Sequence, residues 1–234
     1  MRTITAKAIA LLIAFSTATL AQEKGSFTDP RDKKKYKTVK IGEQVWMAEN
    51  LNYADKDSKC YGDKPANCTQ YGRLYNWETA MKACPAGWHL PRNAELEKLF
   101  SFVDSTKNET SKRLKAKSGW TKKEANGTDN FGFSALPGGN GNSRGYFSLV
   151  GEQGAWWGAT EKPNKRNPDE TLGTQIFIDE RYDKAMLYDV LKNNLFSVRC
   201  IQGDGEEAAK IDAEAEENAA NAEAQPKKRP RPNK

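Results

Sequence analysis

The sequence predicts an α+β domain, with helices early in the chain and a sheet of short strands after them. Two observations carry that prediction. Apolar side chains recur at helical spacing between residues 76 and 104, and beyond Lys112 the chain breaks into short glycine-punctuated runs rich in aromatic and β-branched residues. A third observation, two alternating runs on either side of Gly42 and Glu43, adds a hairpin at the start of the domain.

The elements follow in chain order. Residues 1–21 carry Arg2 and Lys7, an apolar run from Ala8 to Phe15, and a small-residue end at Thr19 and Ala21, the build of a secretory signal peptide. Residues 22–35, with Pro30 and a basic run, read as a polar linker. "YKTVKIGEQVWMAEN" places Val39 and Ile41 on one side of a first strand and Val45 and Met47 on one side of a second. Trp77, Ala80, Met81 and Cys84 then fall on one helical face that Asn76 can cap. "PAGWHLP" interrupts that period, and Leu96, Leu99, Phe100 and Val103 restart it, with Glu95 and Glu97 in the first turns where the helix dipole favours acids.

After Lys112, "LKAKSGW", "FGFSALPGGNGNSRGYFSLVGEQGAWWGATE", "TQIFIDE", "KAMLYDV" and "FSVRCI" are the strand candidates. The domain therefore spans residues 36–202. Residues 203–234 are Ala- and Glu-rich, with Ile211 as the single large apolar side chain, and end in a Pro-interrupted basic cluster. Such a segment is expected to be a solvated helix or disordered, because it has little apolar surface to bury.

Charge bounds the partners. Residues 22–202 hold 29 basic and 23 acidic residues, a net +6, which favours anionic envelope polymers over neutral surfaces. An exported chain is not expected to meet nucleic acid, and no stretch after the leader is apolar enough to anchor the mature chain in a bilayer. The expected location is secreted or cell-surface.

Cys60, Cys68, Cys84 and Cys200 are even in number, as suits an oxidising compartment. Three pairings are possible; the short loop "CYGDKPANC" makes a local Cys60–Cys68 bridge with a long Cys84–Cys200 bridge the simplest. Cys84 lies five residues before His89, the sole histidine, and a thiol beside an imidazole is the raw material of a nucleophile. Catalysis would need a free thiolate within reach of that ring, which a bridged Cys84 cannot supply. One histidine and four cysteines expected to be oxidised make no tetrahedral zinc site, so neither metal nor cofactor is expected.

The segment richest in ligand-type groups is "GGNGNSRGYFSLVGEQGAWWGATE". Asn140, Asn142, Ser143 and Arg144 offer amides, a hydroxyl and a guanidinium to sugar hydroxyls, while Tyr146, Trp156 and Trp157 offer aromatic faces to a sugar ring. Adjacent strand residues point to opposite faces, so at least one of Trp156 and Trp157 is expected in the core and the other is the candidate platform. Trp46, Trp77, Trp88 and Trp120 are read as core.

At "FTDPRDKKKYKTVKIGEQVWMAENLNY", "YGRLYNWETAMKACPAGWHLPRNAELEKL", "GFSALPGG", "WWGATE" and "FSVRCI" the chain resembles the Fibrobacter succinogenes major paralogous domain, a family of secreted or surface bacterial proteins. The helix–Gly–Leu–Pro–helix unit with a distant "VRC" is also similar to the C-type lectin-like fold and its formylglycine-generating relatives. That resemblance implies two helices packed on short twisted antiparallel sheets with long Gly-rich loops. It also implies a bridge from the first helix to the last strand, here Cys84 to Cys200. Where the sulfatase-modifying relatives have a small hydroxyl residue after Leu-Pro, this chain has Arg92, which moves the expected cap of the second helix to Asn93. Calcium-binding lectins carry Glu-Pro-Asn; here Glu161 to Asn164 reads "EKPN", with a lysine inserted, and no Trp-Asn-Asp follows.

The expected function is an exported, non-catalytic surface binding or adhesion module. Polysaccharide or envelope glycan is the ligand class, with Asn140, Asn142, Arg144, Tyr146, Trp156, Trp157 and Glu161 as candidate contacts. The alternatives are a structural protein that contacts other envelope proteins and, more distantly, an enzyme of the formylglycine-generating type, which requires free thiols.

Overall fold

A computed structural model describes residues 23–224 of the chain. The leader and the basic Pro-rich end lie outside the described residues. In chain order the strands and helices are β1 (Lys24–Thr28), β2 (Lys35–Ile41), β3 (Gln44–Met47), β4 (Ser58–Lys59), α1 (Pro65–Tyr71), β5 (Leu74–Tyr75), α2 (Trp77–Ala83), β6 (Trp88–His89) and α3 (Asn93–Val103). They continue with α4 (Thr110–Leu114), β7 (Gly138–Asn142), β8 (Phe147–Val150), β9 (Gln153–Pro163), β10 (Thr171–Asp179), β11 (Met186–Leu191), β12 (Asn194–Ser197), β13 (Ile201–Gln202) and α5 (Glu206–Ala224). The class is mixed α+β.

Two sheets divide the strands. The smaller runs β1-β2-β3-β13-β6; the larger runs β11-β10-β9-β7-β12-β5-β4, with β8 paired to β7. The β2–β3 hairpin turns at Gly42 and Glu43, with Val39 opposite Trp46. Its neighbouring residues Trp46 and Met47 are both buried but enter different apolar clusters. The first cluster joins Val39, Ile41 and Trp46 to Leu96, Leu99, Phe100 and Val103 of α3 and to Trp156 of β9. The second joins Met47, Tyr75, Trp77 and Trp88 to Trp157 and Phe196. β9 separates the two, sending alternate side chains to each.

The segment read as a linker is in part a strand. β1 pairs along β2 from Lys24 opposite Val39 to Thr28 opposite Lys35. Four of its five residues are exposed, so no alternating apolar signal marked it; Phe27, stacked on Trp88 at 5.3 Å, is its one inward residue. "LKAKSGW" contributes an isolated bridge, Lys115 to Ala135, in place of a strand.

The helices lie close to where periodicity put them, with two local corrections. Asn76 caps α2, its side chain accepting from Thr79 N at 2.9 Å, but the buried face is Trp77, Ala80 and Ala83, with Met81 turned outward. At α3 the N-cap position belongs to Arg92 and not to Asn93. The donors of its first turn are met from three directions. Glu95 accepts from Arg92 N at 2.9 Å, Thr160 Oγ1 from Asn93 N at 2.8 Å, and Asp212 Oδ1 from Ala94 N at 2.9 Å. Asp212 belongs to the tail, which is the helix of the two expected alternatives and is solvated along most of its length. α5 docks on α3 with Ala208 and Asp212 buried, while Ile211 stays exposed. A polar cap, which hydrophobic periodicity cannot reveal, holds the tail in place.

Candidate functional site

The four sulfurs form two disulfides, Cys60–Cys68 and Cys84–Cys200, and no cysteine is free. Cys84 ends α2 and Cys200 immediately precedes β13, so the long bridge ties the helical half to the last strand. His89 is occupied elsewhere: Nδ1 lies 2.9 Å from Gly203 O and Nε2 2.8 Å from Glu95 Oε1. Burial opposes charging of this ring most strongly, but the hydrogen bond and charge of Glu95, with the Gly203 carbonyl and the charge of Asp204, outweigh it and leave the pKa raised. Cys84 and His89 therefore serve a junction and do not form a nucleophile with its base.

Trp156 and Trp157 do not form a ligand platform. They are 1% and 0% exposed, and their indole nitrogens donate inward, Trp156 to Asn50 Oδ1 at 2.8 Å and Trp157 to Tyr75 O at 2.7 Å. Alternation does send them to opposite faces, but β9 is an interior strand covered on both sides. Gly173 of β10 has the same cause: a Cβ there would collide with the Trp77 ring, and the ladder between β9 and β10 shifts register at that point.

Earlier in the glycine-rich segment Asn140 and Asn142 are half-buried, whereas the turn Ser143–Tyr146 is exposed and ordered by its own hydrogen bonds. Asn142 Oδ1 accepts from Arg144 N at 2.9 Å and from Tyr146 N at 3.3 Å, and Gly145, at φ +81°, closes the turn between β7 and β8. Ser148 donates to Asn140 Oδ1 at 3.0 Å across the same hairpin, and Phe147 stacks on Tyr61 at 5.4 Å beneath it. Ser143 and Arg144 are exposed, and Tyr146 is 70% exposed. One ordered turn therefore presents an amide, a hydroxyl, a guanidinium and a phenol to solvent.

Ser143 also lines a cleft of about 620 Å³ with Asn76, Glu78 and Thr79 at the start of α2 and Lys192 and Asn193 from the β11–β12 turn. Lys56, Asp57 and Lys59 close its other side, leaving Leu195 as the one apolar residue in the lining. Lys192 organises the floor: its ammonium lies 3.9 Å from the Trp77 ring centroid, 3.8 Å from Glu78 Oε1, and in contact with Glu161. Hydrogen bonds from Lys192 and Thr171 hold the Glu161 carboxyl below its ordinary pKa. Glu161 is thus committed to an ion pair beside the cleft. Among the described residues, no three His, Cys, Asp or Glu side chains are grouped to hold a metal.

Of the residues picked from the sequence, the fold gathers Asn140, Asn142, Ser143, Arg144 and Tyr146 on one hairpin, ties Glu161 to its neighbouring cleft through Lys192, and removes both tryptophans to the core. Lys192, Asn193, Asn76 and Glu78 were not singled out as ligand contacts. The "KNN" turn between two strand patterns was the available signal for the first pair. A protein-family model described as Fibrobacter succinogenes major domain matches residues 39–202. No curated protein and no solved structure matches the chain.

Proposed function

The chain belongs to the Fibrobacter succinogenes major domain family, and from that premise we propose that it is an exported, non-catalytic binding module for polysaccharide or envelope glycan. The observation that carries this reading is the cleft at Ser143. Its lining of hydroxyls, amides and paired charges suits sugar hydroxyls, and Tyr146 and Arg144 stand at the adjoining turn with their side chains in solvent. The two disulfides and the absence of a membrane-length apolar helix among the described residues are compatible with export. That all four cysteines are bridged counts against thiol chemistry of the formylglycine-generating kind, which needs a free thiol.

The architecture is C-type lectin-like in this reading. It is supported by the helix-end to last-strand bridge at Cys84 and Cys200, by the first and last strands sharing one sheet, and by the ligand-type groups standing on a Gly-rich hairpin.

The test is binding of the full chain to insoluble polysaccharides and to a panel of neutral glycans, repeated with Tyr146→Ala and Lys192→Ala. Retention by at least one glycan, lost in both variants while the melting temperature holds, supports the reading. Retention by none overturns it. A second reading, contact with an envelope protein, draws on Tyr182, Tyr188 and Leu191, all more than two-fifths exposed, on and near the edge strand β11. It predicts that Tyr188→Ser, and not Tyr146→Ala, releases the protein from cell envelopes.

A further inference from the structure

The β1–β2 ribbon forms one wall of a second concave surface. A cleft of about 510 Å³ is lined by Lys24, Lys34, Lys35 and Lys37 from this end of the chain, with Asn52 and Gln70 opposite. A further cleft of about 470 Å³ shares Lys34, Asn52 and Cys68 with it and adds Lys59 and Arg73, so the two run together as one groove past the Cys60–Cys68 bridge. The pairing register explains why the cations converge. Lys35 and Lys37 point to one face of β2, and Lys24, opposite Val39, points to the same face from β1.

The charge of this groove is not balanced from within. Its carboxylates are Glu49, Asp63 and Asp129, against six basic side chains. Glu49 lies 3.4 Å from Lys37 and Asp63 3.7 Å from Lys59, whereas Asp129 accepts from Ser134 N and Oγ. Lys34 reaches Asp32 at 3.2 Å, but Lys24 and Lys35 have no carboxylate partner among the described residues.

A seventh cation stands behind the wall. Arg199, 1% exposed, donates to Asn50 Oδ1 at 2.7 Å and to Phe133 O, and it has no carboxylate partner among the described residues. Asn50 itself lines the groove. Burial lowers the Arg199 pKa to about 9, with Asp129 and Glu49 opposing that drop, so the guanidinium is still charged at neutral pH. A buried charge is screened less than one at a free surface, and Asn50 links this one to the groove.

We propose that this groove binds an acidic polysaccharide, a polymer with carboxylates on successive sugar rings, at a site that meets the cleft at Ser143 only at Lys59. The lysines supply point charges for carboxylates spaced along a chain, and Asn52, Gln70 and Thr69 supply partners for the hydroxyls between them. The site is concave, which suits a polymer threaded along it better than a flat lipid surface. Lys24 and Lys35 lie outside the Ser143 cleft, so the two sites are tested by different ligands and different variants.

The experiment measures binding of the full chain to polygalacturonate by calorimetry at low and high salt. Comparison probes are the methyl-esterified polymer, duplex DNA and vesicles of anionic phospholipid. Lys24→Glu/Lys35→Glu is set against Lys98→Glu/Lys112→Glu, which changes the net charge equally at exposed positions outside the groove. Expected is salt-sensitive binding of polygalacturonate, weakened about tenfold or more by the groove variant and not by the control. The esterified polymer should not bind, and Tyr146→Ala should change nothing. Equal weakening by both double variants, binding of DNA or vesicles as tight as that of the polymer, or no binding of polygalacturonate would each overturn the proposal. Lys24→Gln/Lys35→Gln repeats the test with milder substitutions, and the thermal melt of each variant confirms folding.

Discussion

β9 and the turn between β7 and β8 are neighbours in sequence and opposites in environment. Trp156 and Trp157 are essentially inaccessible, whereas Tyr146, ten residues upstream of Trp156, is 70% exposed. Composition does not separate them, since both stretches are glycine-rich and aromatic. Position in the sheet does: β9 pairs with β10, β7 and β12 and has an apolar cluster on either face, while the turn projects beyond β7 and β8. Along this stretch the aromatic side chain turns outward where the ladder ends, at Tyr146, and inward where the strand is covered on both faces, at Trp156 and Trp157.

The sharpest way to break that contrast is from the core side. Trp157→Ala removes a ring whose centroid lies 4.5 Å from that of Phe196 and the indole N–H that donates to Tyr75 O, and should cost about 3–5 kcal/mol in chemical denaturation. Next in size is the tie that holds the second cluster closed. Cys84→Ala/Cys200→Ala opens a loop with a sequence separation of 116 and should cost about 2–5 kcal/mol, with a larger fall in melting temperature than for Cys60→Ala/Cys68→Ala, whose separation is 8. Asp212→Ala leaves the Ala94 amide and the Thr160 hydroxyl without their acceptor and should cost about 1 kcal/mol. It should also raise the rate at which α5 is cleaved by protease.

His89 gives a smaller, pH-dependent effect. Its folded pKa stands above the ordinary 6.5, so its stabilising contribution is complete below that value and is lost as pH rises through the raised pKa. Stability of the native chain should therefore decline over that window, and Glu95→Gln should flatten the decline. The least effect of all is expected at the exposed end of the comparison. Tyr146→Ala should alter stability by no more than about 0.5 kcal/mol while abolishing glycan retention. A loss of stability there as large as at Trp157 would erase the distinction between the two regions.

What could be read from the sequence follows the same division. α2 and α3 were legible because each buries one face and leaves the other in water, so polarity alternates with a period, and the β2–β3 hairpin because its two apolar runs flank the turn at Gly42 and Glu43. β9 was legible as a strand but not as one covered on both sides, since "AWW" looks alike whether one or two faces are covered. β1 escaped notice for the converse reason, since its backbone pairs while most of its side chains stay exposed. Arg199 in "FSVRCI" sits between buried Val198 and Cys200 and is itself buried, held by Asn50 from far earlier in the chain. No local pattern encodes that contact. The hairpin residues of the candidate site were legible as chemistry; the Lys192 side of the cleft was not, because only the tertiary fold brings α2 and the β11–β12 turn to Ser143.

The long bridge also decides how the domain carries tension. A pull applied between Lys24 and the residues beyond Gly203 travels from β1 to Cys84, crosses the sulfurs to Cys200, and leaves again within a few residues. Everything between those cysteines, including β7 to β12 and the hairpin with Tyr146, is shunted out of the load, and no stretch of the backbone there can be drawn out until the bridge is reduced. The lysine groove on β1 and β2, by contrast, lies directly in the line of force. A molecule held at its ends would thus spare the hairpin with Tyr146 and the Lys192 side of its cleft, while the α2 side of that cleft and the lysine groove felt every tug.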